Sequence, residues 1–209
     1  MSSILLVAVR IHADMKMENY RKWAYMISDE RNERIAYFKF DVDRIRALIS
    51  ELVARKCISD QAGISFRSLE FHRGSHGKPY VNLEVPLAFN WSHSGDWILF
   101  AMDSEPVGVD VEVVHPVKEM DLARRFFDAQ EVAQLNTMPA VERKKHFFKL
   151  WSLKESYIKW KGTGLSTELD SFRFLYNKHQ ELLFSNNHED SCYFHTIHLD
   201  SRRCSSLFI

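Results

Sequence analysis

The sequence predicts an α+β protein of two halves, each a long helix packed on antiparallel strands. Three observations predict it. Segments 41–58 and 140–161 are long, helix-compatible and free of Gly and Pro. Short apolar runs bounded by turn residues surround each of them. The break Ser104-Glu105-Pro106 falls near the middle of 209 residues and divides the chain into 1–104 and 105–209.

The elements follow in order. Ile4–Val9 is apolar and reads as a buried first strand; no basic residue precedes it and Arg10 follows at once, so it is not a secretory signal. In Asp41–Ile58 the residues Ile45, Leu48, Ile49, Leu52 and Val53 recur at helical spacing. Asp41 and Asp43 suit its first turn, Arg55 and Lys56 its last. Ile64–His72 reads as a strand and Arg73–Pro79 as a turn. Phe89–Trp91 and Trp97–Met102 read as strands joined through Ser94-Gly95. Val107–Val114 is apolar with Asp110 and Glu112 inserted. Met120–Phe127 and Gln130–Leu135 are predicted helical, and Ala140–Lys161 is the strongest helix, with Gly162 where a stop belongs. Phe172–Ile209 reads as several short strands.

Composition narrows the class. An apolar fraction of 45% with 27% charged residues is that of an ordinary globular protein and excludes a disordered chain. Lys+Arg and Asp+Glu are 28 each, so the basic excess of a nonspecific nucleic-acid binder is missing. No run approaches the ~18 apolar residues of a membrane span. Cys57, Cys192 and Cys204 are odd in number and widely spaced, which points to a reduced, cytoplasmic setting and not to a disulfide framework.

Four groups of residues carry chemistry. Asp110 and Glu112 lie two apart on a strand and so share a face among valines. Such a pair needs a compensating cation: a hard metal ion such as Mg²⁺, an Arg or Lys from elsewhere, or solvent at a strand end. Glu155 and Lys159 are i,i+4 on the long helix, a spacing that also serves simple helix pairing worth ~0.2–0.5 kcal/mol. Glu155 is, however, the only acid between Arg143 and Lys161, among seven basic residues, which suits a site holding metal and phosphate together. Asn90-Trp91-Ser92-His93-Ser94 brackets a His with hydroxyls that donate to an anion, or forms an exposed turn. Gly77-Lys78-Pro79 is a turn by default, or a stiff loop presenting Lys78 to phosphate. Lys161-Gly162-Thr163-Gly164-Leu165 follows a helix instead of opening one, so it reads as a helix stop and not a phosphate loop.

In order and spacing these groups resemble a family, the phosphopantetheinyl transferases of the surfactin-synthetase-activating (Sfp) type. The resemblance rests on Gly77-Lys78-Pro79, Asn90-Trp91-Ser92-His93-Ser94, Gly108-Val109-Asp110-Val111-Glu112, and Trp151-Ser152-Leu153-Lys154-Glu155-Ser156-Tyr157-Ile158-Lys159. Further similar segments are Ile27–Arg31 through Arg55, with Asp43 and Arg46, and Arg125-Phe126-Phe127 through Glu131. Two positions depart from the pattern: Ala47 stands where some bacterial members have Thr, and Ser50 where Gly is usual.

The resemblance implies two similar α+β halves related by a pseudo-twofold, with coenzyme A in the cleft. It implies a monomeric enzyme that transfers phosphopantetheine from coenzyme A to a serine of an apo acyl or peptidyl carrier protein and releases adenosine 3′,5′-bisphosphate. Asp110, Glu112 and Glu155 would hold Mg²⁺ (Mn²⁺ as substitute). Glu155, Lys159 and Asp110 would be catalytic, with Glu155 as base, metal ligand or both. Arg31, Arg34, Arg46, Lys78, Pro79, Ser92, His93, Lys154 and Lys159 would bind the coenzyme. Acidic carriers would meet the basic helix Arg143–Lys161. Alternatives are a Mg²⁺-dependent phosphohydrolase, or an inactive module binding coenzyme A or a carrier protein.

Overall fold

The structure is a computed structural model. It describes residues 4–12, 14–186, 192–197, 199 and 203–208, with Leu165 and 203–208 described by backbone alone. The chain divides into two units, Met1–Val107 and Gly108–Ile209.

The first unit begins with β1 (Leu5–Arg10), followed by α1 (Asp29–Ala36) and α2 (Asp41–Ala62). The hairpin strands β2 (Phe71–Arg73) and β3 (Pro79–Val81) follow, then β4 (Ala88–Ser94) and β5 (Trp97–Asp103). Strands β1, β5 and β4 form an antiparallel sheet in that order. The turn between β4 and β5 is the pair Gly95-Asp96, with Gly95 at φ 60° as a tight hairpin requires. β1 is not the buried strand expected: it is an edge strand, none of its residues is fully buried, and Leu5 is 39% exposed.

Helix α2 runs 22 residues and ends at Gly63 in the left-handed region, φ 66°. Ile45, Leu48, Ala54 and Ile58 are fully buried, whereas Ile49, Leu52 and Val53 line an open apolar groove with Val7, Trp23 and Phe66. Arg55 is not a last-turn cation facing solvent. It is 4% exposed, paired with Glu51 at 2.9 Å and donating to the Leu69 carbonyl at 2.9 Å. Ile64–His72 is not one strand. Ser65 caps a 3-10 turn over Phe66–Ser68, leaving only Phe71–Arg73 extended.

The second unit opens with β6 (Gly108–Val113), then α3 (Glu119–Phe126), α4 (Ala129–Asn136) and α5 (Ala140–Lys161). Four strands close it: β7 (Phe172–Tyr176), β8 (Leu182–Asn186), β9 (Phe194–Ile197) and β10 (Arg203–Phe208). β6, β10 and β9 form an antiparallel sheet, and β7 pairs with β8. Each unit therefore holds a 22-residue helix and a three-stranded antiparallel sheet, an α+β build in both. Among the described residues no helix is long and apolar enough to cross a membrane. Cys57 is a free thiol; the Cys204 side chain lies outside the described residues.

Helix α5 is pinned by an ion pair. Lys154 and Glu131 are both sealed from solvent and meet at 2.8 Å. Lys154 Nζ also donates to the carbonyls of Leu169 and Phe172, each at 2.7 Å. Glu131 completes the capping box of α4 with Asp128 and accepts the Phe174 amide at 2.8 Å. Burial alone drives each group toward its neutral form, and the opposite charge of the partner counters it. Removing one partner strands a buried charge, which typically costs about 3–5 kcal/mol. Lys154→Met is accordingly expected to lose stability of that order in denaturant unfolding, far beyond Lys144→Met on the same helix.

Candidate active site

Strand β6 and helix α5 build the site in the second unit. A Cβ placed on Gly108 would overlap the Ser156 carbonyl and the Trp160 amide and would lie 2.8 Å from Trp160 Cα. The strand therefore lies directly on the helix backbone, and the face carrying position 108 looks at α5. Strand alternation puts Asp110 and Glu112 on that same face.

On α5 the residues Trp151, Glu155 and Lys159 stay partly exposed while Ser152–Lys154 and Ser156–Ile158 are buried. Four-residue spacing sets the three on one stripe. Asp110 is 2% exposed and accepts a hydrogen bond from Lys159 Nζ at 2.6 Å. The Glu155 carboxyl is held above the usual carboxylate range, first by burial and next by the Asp110 charge, with Lys159 opposing both. Glu112 is half-buried further along the face.

Among the described residues no group of three or more His, Cys, Asp or Glu side chains is gathered as a metal cluster. The donor set nevertheless fits a hard dication in kind. It is all carboxylate, Asp110 and Glu112 share the β6 face opposite α5, and Asp110 and Glu155 repel each other through a partly buried medium. Lys159 supplies a cation bonded to Asp110.

The first unit carries the other expected residues. Arg31 is largely buried; its Nη2 donates to the Ala47 carbonyl at 3.2 Å, its Nε stands 3.7 Å from Glu51, and burial lowers its pKa. Arg34 is exposed, 3.9 Å from Glu30. Arg46 bonds Asp43 at 2.6 Å and the Gly95 carbonyl through Nε at 2.7 Å, which braces the β4–β5 turn. Lys78 donates to the Val107 carbonyl at 3.3 Å, and burial brings its pKa down to about 8. Pro79 opens β3 and lines a small pocket with Arg31, Arg73 and Trp91. Ser92 is buried and His93 exposed, as neighbours on β4 that point to opposite faces. Ala47 is packed with Ile27, Ile35 and Leu48, and the Ser50 hydroxyl donates to the Arg46 carbonyl at 2.7 Å.

One expectation is corrected. Lys154 is not a coenzyme contact: it has no exposed surface, and its ammonium is spent on Glu131 and two carbonyls. On the basic helix Arg143–Lys161 several cations have partners within the unit. Arg143 pairs with Glu119 at 3.3 Å, Lys149 sits 4.1 Å above the Tyr176 ring and Lys159 holds Asp110. One residue escaped the motifs, Arg73, which was read only as the start of a turn. Its register partner in the β2–β3 hairpin is Pro79, so the turn at Gly77 folds it back beside the Gly77-Lys78-Pro79 segment.

A face of carboxylates against a Glu/Lys helix, with basic residues elsewhere, is suited to transfer at phosphorus, where positioning and charge neutralisation do most of the catalysis. Comparison with known proteins gives the same class. Residues 14–105 match the family model "4'-phosphopantetheinyl transferase, N-terminal", and residues 106–206 match that of the 4'-phosphopantetheinyl transferase superfamily. The chain is 37% identical to 4'-phosphopantetheinyl transferase psf-1 of Bacillus pumilus, over 83% of this chain and 75% of that one. It is 34% identical to 4'-phosphopantetheinyl transferase Sfp of Bacillus subtilis (strain 168), over 89% and 83%. The protein belongs to the 4'-phosphopantetheinyl transferase superfamily.

The raised Glu155 pKa has a measurable consequence without any ligand. A carboxyl that holds its proton to higher pH when folded contributes stability below its unfolded pKa and loses it as pH rises through the folded value. At neutral pH the ionised Glu155 strains the fold. In chelator, Glu155→Gln is expected to melt above the parent at pH 7, with the difference vanishing near pH 4; melting curves at the two pH values check it.

Proposed function

We propose that the protein transfers the phosphopantetheine arm of coenzyme A to a serine of an apo carrier protein and releases adenosine 3′,5′-bisphosphate. The observation that carries this reading is the contact of buried Asp110 with Lys159, beside a Glu155 whose proton affinity is raised. The names of the relatives support the same transfer.

In the reaction the serine oxygen attacks the phosphorus bonded to the pantetheine side. The new P–O bond forms as the pyrophosphate P–O bond breaks, and the bisphosphate leaves with that electron pair. Glu155 accepts the serine proton, a role its raised pKa suits because a base works best when matched to the operating pH. Lys159 gives its positive charge to the leaving phosphate, and Asp110 holds the ammonium in place until then. Asp110, Glu112 and Glu155 would hold Mg²⁺, or Mn²⁺ in its place, and the chemistry so supplied is neutralisation of the pyrophosphate charge. Arg31, Arg34, Lys78, Ser92 and His93 bind coenzyme phosphates, and Arg46 holds the turn that follows Ser92 and His93. The protein acts as a monomer in the cytoplasm, a setting that suits the free thiol of Cys57.

The test is intact-mass analysis of apo carriers incubated with the protein, coenzyme A and Mg²⁺. One phosphopantetheine is expected per carrier, none with Asp110→Ala or excess chelator, and no coenzyme cleavage without carrier. Cleavage without carrier would mean a hydrolase. Lys78 adds a pH dependence. It must be protonated to bind phosphate, so the KM for coenzyme A is expected to rise as pH passes about 8, the value to which burial lowers it. Lys78→Arg, which keeps its charge, should flatten that rise in initial-rate profiles.

A further inference from the structure

The two units differ in how the first strand meets the long helix. In the second, Gly108 lets β6 rest on the backbone of α5. In the first, β1 has no glycine, and Val7 meets the core that includes Ala54 and Ile58 of α2 through its branched side chain. The seam stays open as a groove of about 430 Å³. We propose that this groove is a ligand site apart from the transfer reaction, and that it takes an amphiphile with an alkyl chain and a carboxylate head: the chain lies along α2 and the head pairs with Lys56.

Three arguments support this occupant. First, the groove is lined by half-buried apolar side chains, among them Trp23, Leu52, Val53 and Cys57. An open apolar patch of this kind marks a binding surface. Its volume and lining are those of a small-molecule site, in which a few polar groups orient an otherwise apolar ligand. Second, among the described residues that line it, Lys56 alone is charged. Ile49, Leu52, Val53 and Lys56 recur at i, i+3, i+4 and i+7, so the ammonium continues the apolar stripe and stands at its C-terminal end. The stripe covers about 10 Å of helix axis, within reach of a medium-length alkyl chain. An anionic head is the complement of that end. Lys56 bonds Asp60 at 2.6 Å, but the two side chains are 67% and 60% exposed, and such pairs hold weakly. Third, a peptide would bring an N–H group at nearly every residue, and no described lining side chain carries an oxygen to accept it. An alkyl chain has no such need. None of these lining residues is among those assigned to coenzyme A or to the metal.

The Cys57 thiol in the groove wall reports occupancy. The full chain is titrated with decanoate or with decanol, the same chain without the charge, and the alkylation rate of Cys57 by iodoacetamide is followed by peptide mass. Decanoate is expected to slow that alkylation at lower concentration than decanol does. K56Q should cut this preference about threefold, the size of an exposed ion pair. D60N should raise it above the parent by removing the competing carboxylate, and V53F, which fills the groove, should abolish protection by both. An alkylation rate that decanoate leaves unchanged, equal protection by the two probes, or a preference that K56Q does not lower overturns the proposal. So does protection that rises with protein concentration and needs no amphiphile, which would assign the groove to a second copy of the chain. K56Q and D60N alter exposed side chains, so they decide the matter even if V53F fails to fold. Neither coenzyme A nor a carrier protein is present, so failure here is separate from failure of phosphopantetheine transfer in the mass assay.

Discussion

At position 108 any side chain would run into the backbone of α5, where the Ser156 carbonyl and the Trp160 amide already fill the space a Cβ needs. Glycine is what lets β6 rest on the helix at backbone distance, and the rest of the site is measured from that contact. Two residues along, on the same strand face, Asp110 comes within 2.6 Å of Lys159. Glu155, one turn earlier on α5, then lies close enough to feel both charges. A strand pushed outward would leave Asp110 without its ammonium and would relax the repulsion that raises the Glu155 pKa.

Close approach alone would not aim the helix, since α5 could still turn about its axis. The Lys154–Glu131 pair removes that freedom. Lys154 and Glu155 are adjacent, so fixing the direction of one fixes the other at about 100° around the helix. The bonds of Lys154 to Leu169 and Phe172, and of Glu131 to Asp128 and Phe174, attach α5 to α4 and β7 at one point. A buried ion pair is not an economical source of stability compared with apolar packing. Its use here is angular: directional bonds hold the Trp151–Glu155–Lys159 stripe facing β6.

How much of this is legible in the sequence depends on the range of the interaction. The limits of α5 are legible because local chemistry sets them, with Pro139 before it and Gly162, at φ 73°, after it. The strand face of Asp110 and Glu112 is legible because period-two alternation is local too. Ile64–His72 misleads because Ile64, Phe66, Leu69 and Phe71 are apolar enough for a strand, while the Ser65 cap that bends Phe66–Ser68 is a single hydroxyl. Arg55 and Lys154 mislead for a common reason. Cations are almost never fully buried unless paired, and for Lys154 the pairing partner lies 23 positions away on another helix. Arg73 escapes because its relevance comes from the fold of a hairpin and from Glu30, far off in sequence.

The same distinction of range decides what the Glu155/Lys159 spacing means. Taken locally, it is a helix-surface pair whose two charges satisfy each other. In the fold Lys159 bonds Asp110, 49 residues away, and its attraction for Glu155 is outweighed by burial and by Asp110. The pair is therefore unequal: Lys159 compensates a carboxylate on the opposite element, and Glu155 keeps a surplus affinity for a proton or a cation. A surface salt bridge has no such surplus, since both partners sit near their ordinary pKa in high dielectric. The unspent affinity of Glu155 is what the helix offers to chemistry. It exists only because Gly108 admits β6, and with it the charge of Asp110, to the surface of α5.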